Sequence, residues 1–195
     1  IGTTKIACIV GEKMPNGKVE IRGYGKTDST GVKRGIVVNI EETVDAIKTA
    51  VAQASEQSKV NIKSVNVGIA GHHIKSIQHR GTLIRENADI EISDQELDKL
   101  RLDMFKLRTA PGEEIVNVIP QEYYVDGEAV GSKRPKGMLG NKLEANFHVI
   151  VGQTSAVKNI LKCIEHAGLE MENMILEPIA SAASVLGEDE KEAGV

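Results

Sequence analysis

The chain has 195 residues, enough to bury a core and suited to one domain or two small ones. A formal net charge of −4, only 3% aromatic residues and no Trp argue against nonspecific nucleic-acid binding and leave few surfaces for stacking bases. No apolar run approaches the roughly 20 residues of a membrane-spanning helix, and Cys8 and Cys163 both sit in apolar runs, where they read as small buried hydrophobes in a reducing compartment, a disulfide pair being the alternative.

The sequence opens on Gly2-Thr3-Thr4-Lys5, followed by the apolar run Ile6–Val10. A glycine and two threonines between extended segments aim backbone N–H groups, hydroxyls and an ammonium at one point, a concavity of donors suited to phosphate. Taken alone, the four residues fit a solvated hairpin turn as well. A strand leading into the turn is nearly absent and the sequence closes on Gly194-Val195 as though another strand were beginning, so a piece of a longer protein is expected.

Lys5 to Val10 suits a buried strand, and Pro15-Asn16-Gly17-Lys18 is a turn that returns Val19 to Thr27 antiparallel to it. Gly23-Tyr24-Gly25 lies within this second strand, but Asp28 stands where a third glycine belongs, so it is no dinucleotide fingerprint. Gly35 to Val38 reads as a third short strand. Asn39 caps a helix with Glu42 at the capping-box position and Val44, Ile47, Val51 and Ala54 on one face. Ser64 to Gly71 then alternates, with Val65, Val67 and Ile69 on one side.

After Gly71 a strand pair is expected through Ile77 and Leu83-Ile84, with Gly81 near its turn. Ser93 caps a second helix whose stripe is Leu97, Leu100, Met104 and Leu107, ended by Pro111-Gly112. Two strands follow, near 114–119 and 121–125, then a Gly/Lys/Pro-rich loop over 126–141 and a long strand alternating Leu143, Ala145, Phe147, Val149 and Val151. Thr154 or Ser155 caps a third helix with Gly168 at its C′ position. Met174–Leu176 reads as a short buried strand, Pro178 as the N1 residue of a helix with a small-residue face at Ala180–Ser184, and 188–192 as a charged loop.

With the middle block set aside, the order is strand, strand, strand, helix, strand, helix, strand, helix. Three antiparallel strands followed by right-handed crossovers resemble the core shared by actin, sugar kinases and the large heat-shock chaperones. The fold class expected is α/β, an actin-like (ribonuclease H-like) subdomain with an inserted α+β subdomain of SHS2 type, strand–helix–strand–strand. The sharper resemblance lies in Val118-Ile119-Pro120-Gln121-Glu122-Tyr123, Pro135-x-Gly137-Met138-x-Gly140, Gly68-Ile69-Ala70-Gly71-x-His73-Ile74, Gly31-x-x-x-Gly35-Ile36-Val37, Glu177-Pro178-Ile179-Ala180-Ser181 and Gly187-Glu188-Asp189-Glu190. By these the chain resembles, in register from Ile1 to Val195, the FtsA family of bacterial cell-division proteins. Lys136 and Leu139 depart from the residues expected in their loop, and the acidic residue that the family carries just before the position of Ile1 is not in this sequence.

The resemblance implies subdomain 1A over 1–71 and 152–195, incomplete without the second lobe, and subdomain 1C over 72–151. It implies that Gly2, Thr3, Thr4 and Lys5 bind nucleotide phosphates, with ATP and Mg2+ the cofactors of the whole protein and none held by this half alone. It implies an adaptor rather than an enzyme, with no catalytic residue here. FtsZ would bind through a subdomain absent from this chain, while 1C would serve self-association and later divisome proteins. Attachment to the cytoplasmic face of the inner membrane at the septum would use a C-terminal helix, also absent here. Two alternatives share the core: a sugar or metabolite kinase, and a pilus-assembly or morphogenic scaffold.

The remaining constellations carry less. His72, His73 and His79 match no standard metal spacing. Asp94, Glu96 and Asp98 are explained by their helix N-terminus. No GxxxxGK[ST] loop or G-x-S-x-G elbow occurs. Lys33-Arg34 reads as a solvated loop. Lys133, Arg134 and Lys136 form a basic patch, either solvated or a dock for an acidic partner segment.

Overall fold

A computed structural model describes residues 1–194. In chain order these form β1 (Lys5–Lys13), β2 (Val19–Asp28), β3 (Val32–Lys33), β4 (Ile36–Val37), α1 (Ile40–Ser58), β5 (Ser64–Ile69), β6 (Ile74–Ile84) and α2 (Asp94–Asp103), then β7 (Glu113–Val125), β8 (Glu128–Gly131), β9 (Lys142–Gln153), α3 (Thr154–His166), β10 (Glu170–Leu176), α4 (Glu177–Val185) and α5 (Glu188–Ala193). They gather into two compact units, one of Ile1–His73 with Ser155 onward, the other of Ile74–Thr154.

In the first unit β1 and β2 pair antiparallel through the Pro15–Lys18 turn, with a bulge between Val10 and Gly11. The glycines of Gly23-Tyr24-Gly25 let α1 lie directly on β2. A Cβ at Gly25 would fall 1.8 Å from the Ala50 carbonyl oxygen, and one at Gly23 would fall 2.4 Å from that of Ala54. The helix meets them with small residues, Ala50 and Ala54, both fully buried, flanked by Val44 and Ile47. Asn39 caps α1 by accepting from the Glu42 N–H at 3.2 Å, while its own amide nitrogen donates to the Glu42 carboxylate. β5 and β10 pair in parallel, and α3 buries Val157, Ile160, Cys163 and Ile164 along one stripe.

The third strand expected at 35–38 is not part of the β1–β2 sheet. Arg34 and Gly35 both take positive φ, 51° and 80°, the two-residue turn that folds β3 and β4 onto each other as a small separate hairpin. Two C-terminal expectations also change. α4 buries none of its residues, so its small-residue face is not packed, and the charged stretch after Gly187 is the short helix α5, where the Glu190 carboxylate accepts from the Gly187 N–H.

The second unit is a four-stranded antiparallel sheet of order β6-β9-β7-β8 with α2 across one face. Leu143, Ala145, Phe147, Val149 and Val151 of β9 alternate into a core closed by Leu97, Leu100 and Met104. Burial of each large aliphatic side chain there contributes about 1.5–3 kcal/mol. Gly81 is not near a turn. β6 runs straight through it, because the space a side chain would need is taken by Met104 and Phe147, each 3.0 Å from an ideal Cβ. The two strands expected at 114–119 and 121–125 are one, β7, in which Pro120 is accommodated at a bulge where its missing N–H is tolerated. Asp126 and Gly127, at φ 51° and 93°, turn the chain into β8, so the loop expected over 126–141 begins with a hairpin.

Candidate functional site

The turn at Gly2–Lys5 is closed by the Gly2 N–H donating to the Lys5 carbonyl at 3.0 Å, and the Thr4 carbonyl accepts from the Ser29 N–H just past β2. Thr3 and Thr4 occupy the bend, and their own N–H groups have no hydrogen-bond partner among the described residues. The Thr3 hydroxyl accepts from the Gly35 N–H at 3.3 Å, which ties the turn to the β3–β4 hairpin.

A cleft of about 350 Å³ opens here, lined by Gly2, Thr3, Gly35, Gly71, His72 and Glu177 among others. Of the four residues singled out by the sequence, the structure brings Gly2 and Thr3 to this cleft. Thr4 and Lys5 stand outside its lining, since Lys5 has already entered the β1 ladder opposite Asp28.

Three contributors were not legible as site residues. Gly35 and Gly71 are required by close approach: a Cβ at Gly35 would lie 2.1 Å from the Ala70 carbonyl oxygen, and Gly71 adopts φ 145° with His73 packed against it. Glu177 stands at the end of β10, its carboxylate 3.9 Å from the Ile1 nitrogen. The advance signal for these three was membership of the Gly31–Val37, Gly68–Ile74 and Glu177–Ser181 motifs, to which no site role was attached. His73 is buried, 2% exposed, and neither ring nitrogen has a partner. Burial, and secondarily the neighbouring His72, hold its imidazole below the usual histidine range. Among the described residues no group of three His, Cys, Asp or Glu is arranged to hold a metal.

Bare glycine backbone, the free Thr3 amide and the Thr3 hydroxyl, with the free Thr4 amide next along the bend, are a donor set that fits a phosphate tail. The basic patch of the second unit is arranged differently. Arg134 donates to Asp98 at 2.7 Å and Lys136 to Asp94 at 2.5 Å, so two of its three cations are paired with the first turns of α2, and all three side chains are exposed. The Lys136 contact holds the Asp94 carboxyl below its ordinary range.

Residues 71–151 match the family described as the SHS2 domain inserted in FtsA. The whole chain aligns with cell division protein FtsA of Pseudomonas aeruginosa at 40% identity, covering 46% of that protein. It aligns likewise with the FtsA proteins of Neisseria meningitidis at 36% and of Escherichia coli at 34%, again covering 46% of each. The chain is FtsA-like along its whole length.

This FtsA-like chain spans about half the length of the relatives it matches. Among solved structures it is similar to a chain of the PilM-PilN type IV pilus biogenesis complex, with a TM-score of 0.58 over 94% of this chain and 47% of that one. At 12% identity that likeness concerns the fold, which is the actin-like class expected from the order of elements. No described helix is long and apolar enough to cross a membrane.

Proposed function

We propose that this chain supplies one phosphate-binding half of an FtsA-type cell-division adaptor, a protein that binds ATP with Mg2+ and acts by assembly rather than by turnover. The observation that carries the reading is the Thr3-Thr4 bend, whose unpartnered Thr3 amide and Thr3 hydroxyl lie at a cleft walled by Gly35 and Gly71. Phosphate oxygens accept from all of these, and bound ATP supplies the anionic tail they hold. Glu177 is the acidic group on the cleft; its charge opposes that of the phosphates, an opposition relieved when they carry Mg2+.

The FtsA likeness supports the wider role. FtsZ is bound through a subdomain beyond this chain. Self-association and later division proteins use the Ile74–Thr154 unit. A helix beyond this chain attaches the protein to the cytoplasmic face of the inner membrane at the septum.

The test is calorimetry with ATP and Mg2+ on the full-length protein and its Thr3→Val variant. Losing the hydroxyl is expected to weaken binding by up to about tenfold, the equivalent of one hydrogen bond. Residues 1–195 alone are expected to bind ATP weakly. An affinity unchanged by Thr3→Val and by Gly35→Val would refute the phosphate site. Failure of the full-length protein to retain an FtsZ C-terminal peptide would refute the adaptor role.

A further inference from the structure

The cation that the first turn offers to phosphates, Lys5, stands outside the cleft, paired opposite Asp28 in the β1 ladder. A different basic residue reaches the lining, from the β3–β4 hairpin. Arg34 lines the cleft together with Gly2, Thr3 and Gly35, and supplies the one guanidinium or ammonium side chain among the described lining residues. It is exposed, and among the described residues no carboxylate pairs with it.

The hairpin tip that carries Arg34 is held from several sides. Val32 and Val37, paired across β3 and β4, are both buried. The Gly35 N–H donates to the Thr3 hydroxyl, and the Arg34 carbonyl oxygen lies 2.9 Å from where a Cβ of Gly71 would stand. Arg34 itself takes φ 51°, a left-handed conformation uncommon for a residue with a Cβ. The tip is thus wedged between the first turn and the end of β5, which confines its cation to the neighbourhood of the cleft. The Thr3 hydroxyl, accepting from Gly35, keeps its own hydrogen to donate.

We propose that Arg34 is the phosphate clamp of this cleft, binding phosphate oxygens of the nucleotide from the hairpin side while the Thr3 amide and hydroxyl bind them from the turn. The proposal rests on the phosphate reading of the cleft and gives that site its cation. A guanidinium stays charged at any pH the folded protein meets, and its parallel N–H donors match two phosphate oxygens at once. It also offsets Glu177, whose carboxylate on the same cleft repels the phosphates. The attraction grows with the charge of the phosphate chain, so Arg34 favours ATP over ADP.

Calorimetry on the full-length protein, with Mg2+ and either ATP or ADP, tests this in the parent, Arg34→Gly, Arg34→Lys and Thr3→Val. Glycine accepts positive φ, so Arg34→Gly removes the cation and leaves the hairpin geometry accessible. It is expected to weaken ATP binding by about tenfold or more, the equivalent of one charged hydrogen bond, and ADP binding by less. Arg34→Lys should fall between the parent and Arg34→Gly, and the difference between those two should narrow as salt is raised. If Arg34→Gly binds ATP as tightly as the parent while Thr3→Val binds it more weakly, the clamp is overturned and the phosphate reading survives. If neither substitution weakens ATP binding, both fall. Equal losses in Arg34→Lys and Arg34→Gly, unchanged by salt, also overturn the clamp, since charge would then have no part in binding.

Discussion

Arg85 and Glu96 meet where the loop structure of the second unit is tied to α2. The Arg85 Nε donates to Glu96 Oε1 at 2.7 Å, its Nη1 to the Gly140 carbonyl at 2.6 Å and its Nη2 to the Ile90 carbonyl at 2.7 Å. The Arg85 side chain is 2% exposed, so water replaces none of these bonds. Removing it leaves the buried Gly140 carbonyl and the part-buried Ile90 carbonyl without this donor, while Glu96 keeps only its bonds from Ser93. Arg85→Ala is therefore expected to destabilise this unit by about 1–3 kcal/mol, the cost of leaving buried hydrogen-bonding groups without a donor. Chemical denaturation followed on Tyr123 fluorescence checks it; a loss below 1 kcal/mol would show that the bonds are redundant.

Acid should act through the same pair. Hydrogen bonds from Arg85 and then from Ser93 pull the Glu96 carboxyl down to about 2 from its ordinary 4.5. A folded-state pKa below the unfolded one gives stability that is complete above about pH 4.5 and is lost as pH falls from there through about 2. Glu96→Gln should flatten that part of the stability–pH curve. If the variant and the parent lose stability in parallel between pH 4.5 and 2, other carboxylates carry the effect.

His73 has the same sign in a different window. Its imidazole is held low by burial first and His72 second, so the unfolded chain binds its proton more readily than the folded one. Stability is complete above about pH 6.5, the ordinary histidine value, and falls as pH drops below it. A two-dimensional imidazole NMR titration should show the His73 ring titrating below the ordinary histidine value. A His73 that titrates at or above the ordinary value contradicts the buried, unpartnered environment.

Gly25 and Gly81 are both placed by close packing, but with different neighbours. At Gly25 the obstacle is α1 backbone, 1.8 Å from an ideal Cβ; at Gly81 it is the ends of side chains 3.0 Å away. Backbone cannot yield without moving the helix, whereas Met104 can change rotamer. Gly81→Ala should cost about 1–3 kcal/mol. Gly25→Ala should cost more, enough to detach α1 from the hairpin. Thermal melts of the two variants rank them, and the reverse order would refute the account.

Much of this fold follows from local pattern. The Ser93 capping box, the alternation of β9 and the α3 stripe were each visible because one residue's environment is set by neighbours two to four positions away. The errors came where distant residues decide. Gly81 resembles a turn until Phe147 is known to lie over it, and 35–38 reads as a third strand beside β1 and β2 until β3 takes up the hydrogen bonds of β4. The candidate cleft was half legible for the same reason. Thr3 announces itself by its neighbours in sequence, but Glu177, Gly71 and His72 reach the cleft from segments about 70 or more residues away.

The packing of α1 on β2 also separates two kinds of glycine that sequence alone treats alike. Gly17 takes φ 81° at the hairpin tip with nothing within 4 Å of an ideal Cβ, so only chirality excludes other residues there, whereas Gly25 is excluded by space. Chemical synthesis can tell them apart, because D-alanine accepts the left-handed backbone without strain. It should be tolerated at Gly17, or even rigidify the hairpin. At Gly25, where φ is not positive and the helix fills the volume, neither mirror form of alanine offers relief.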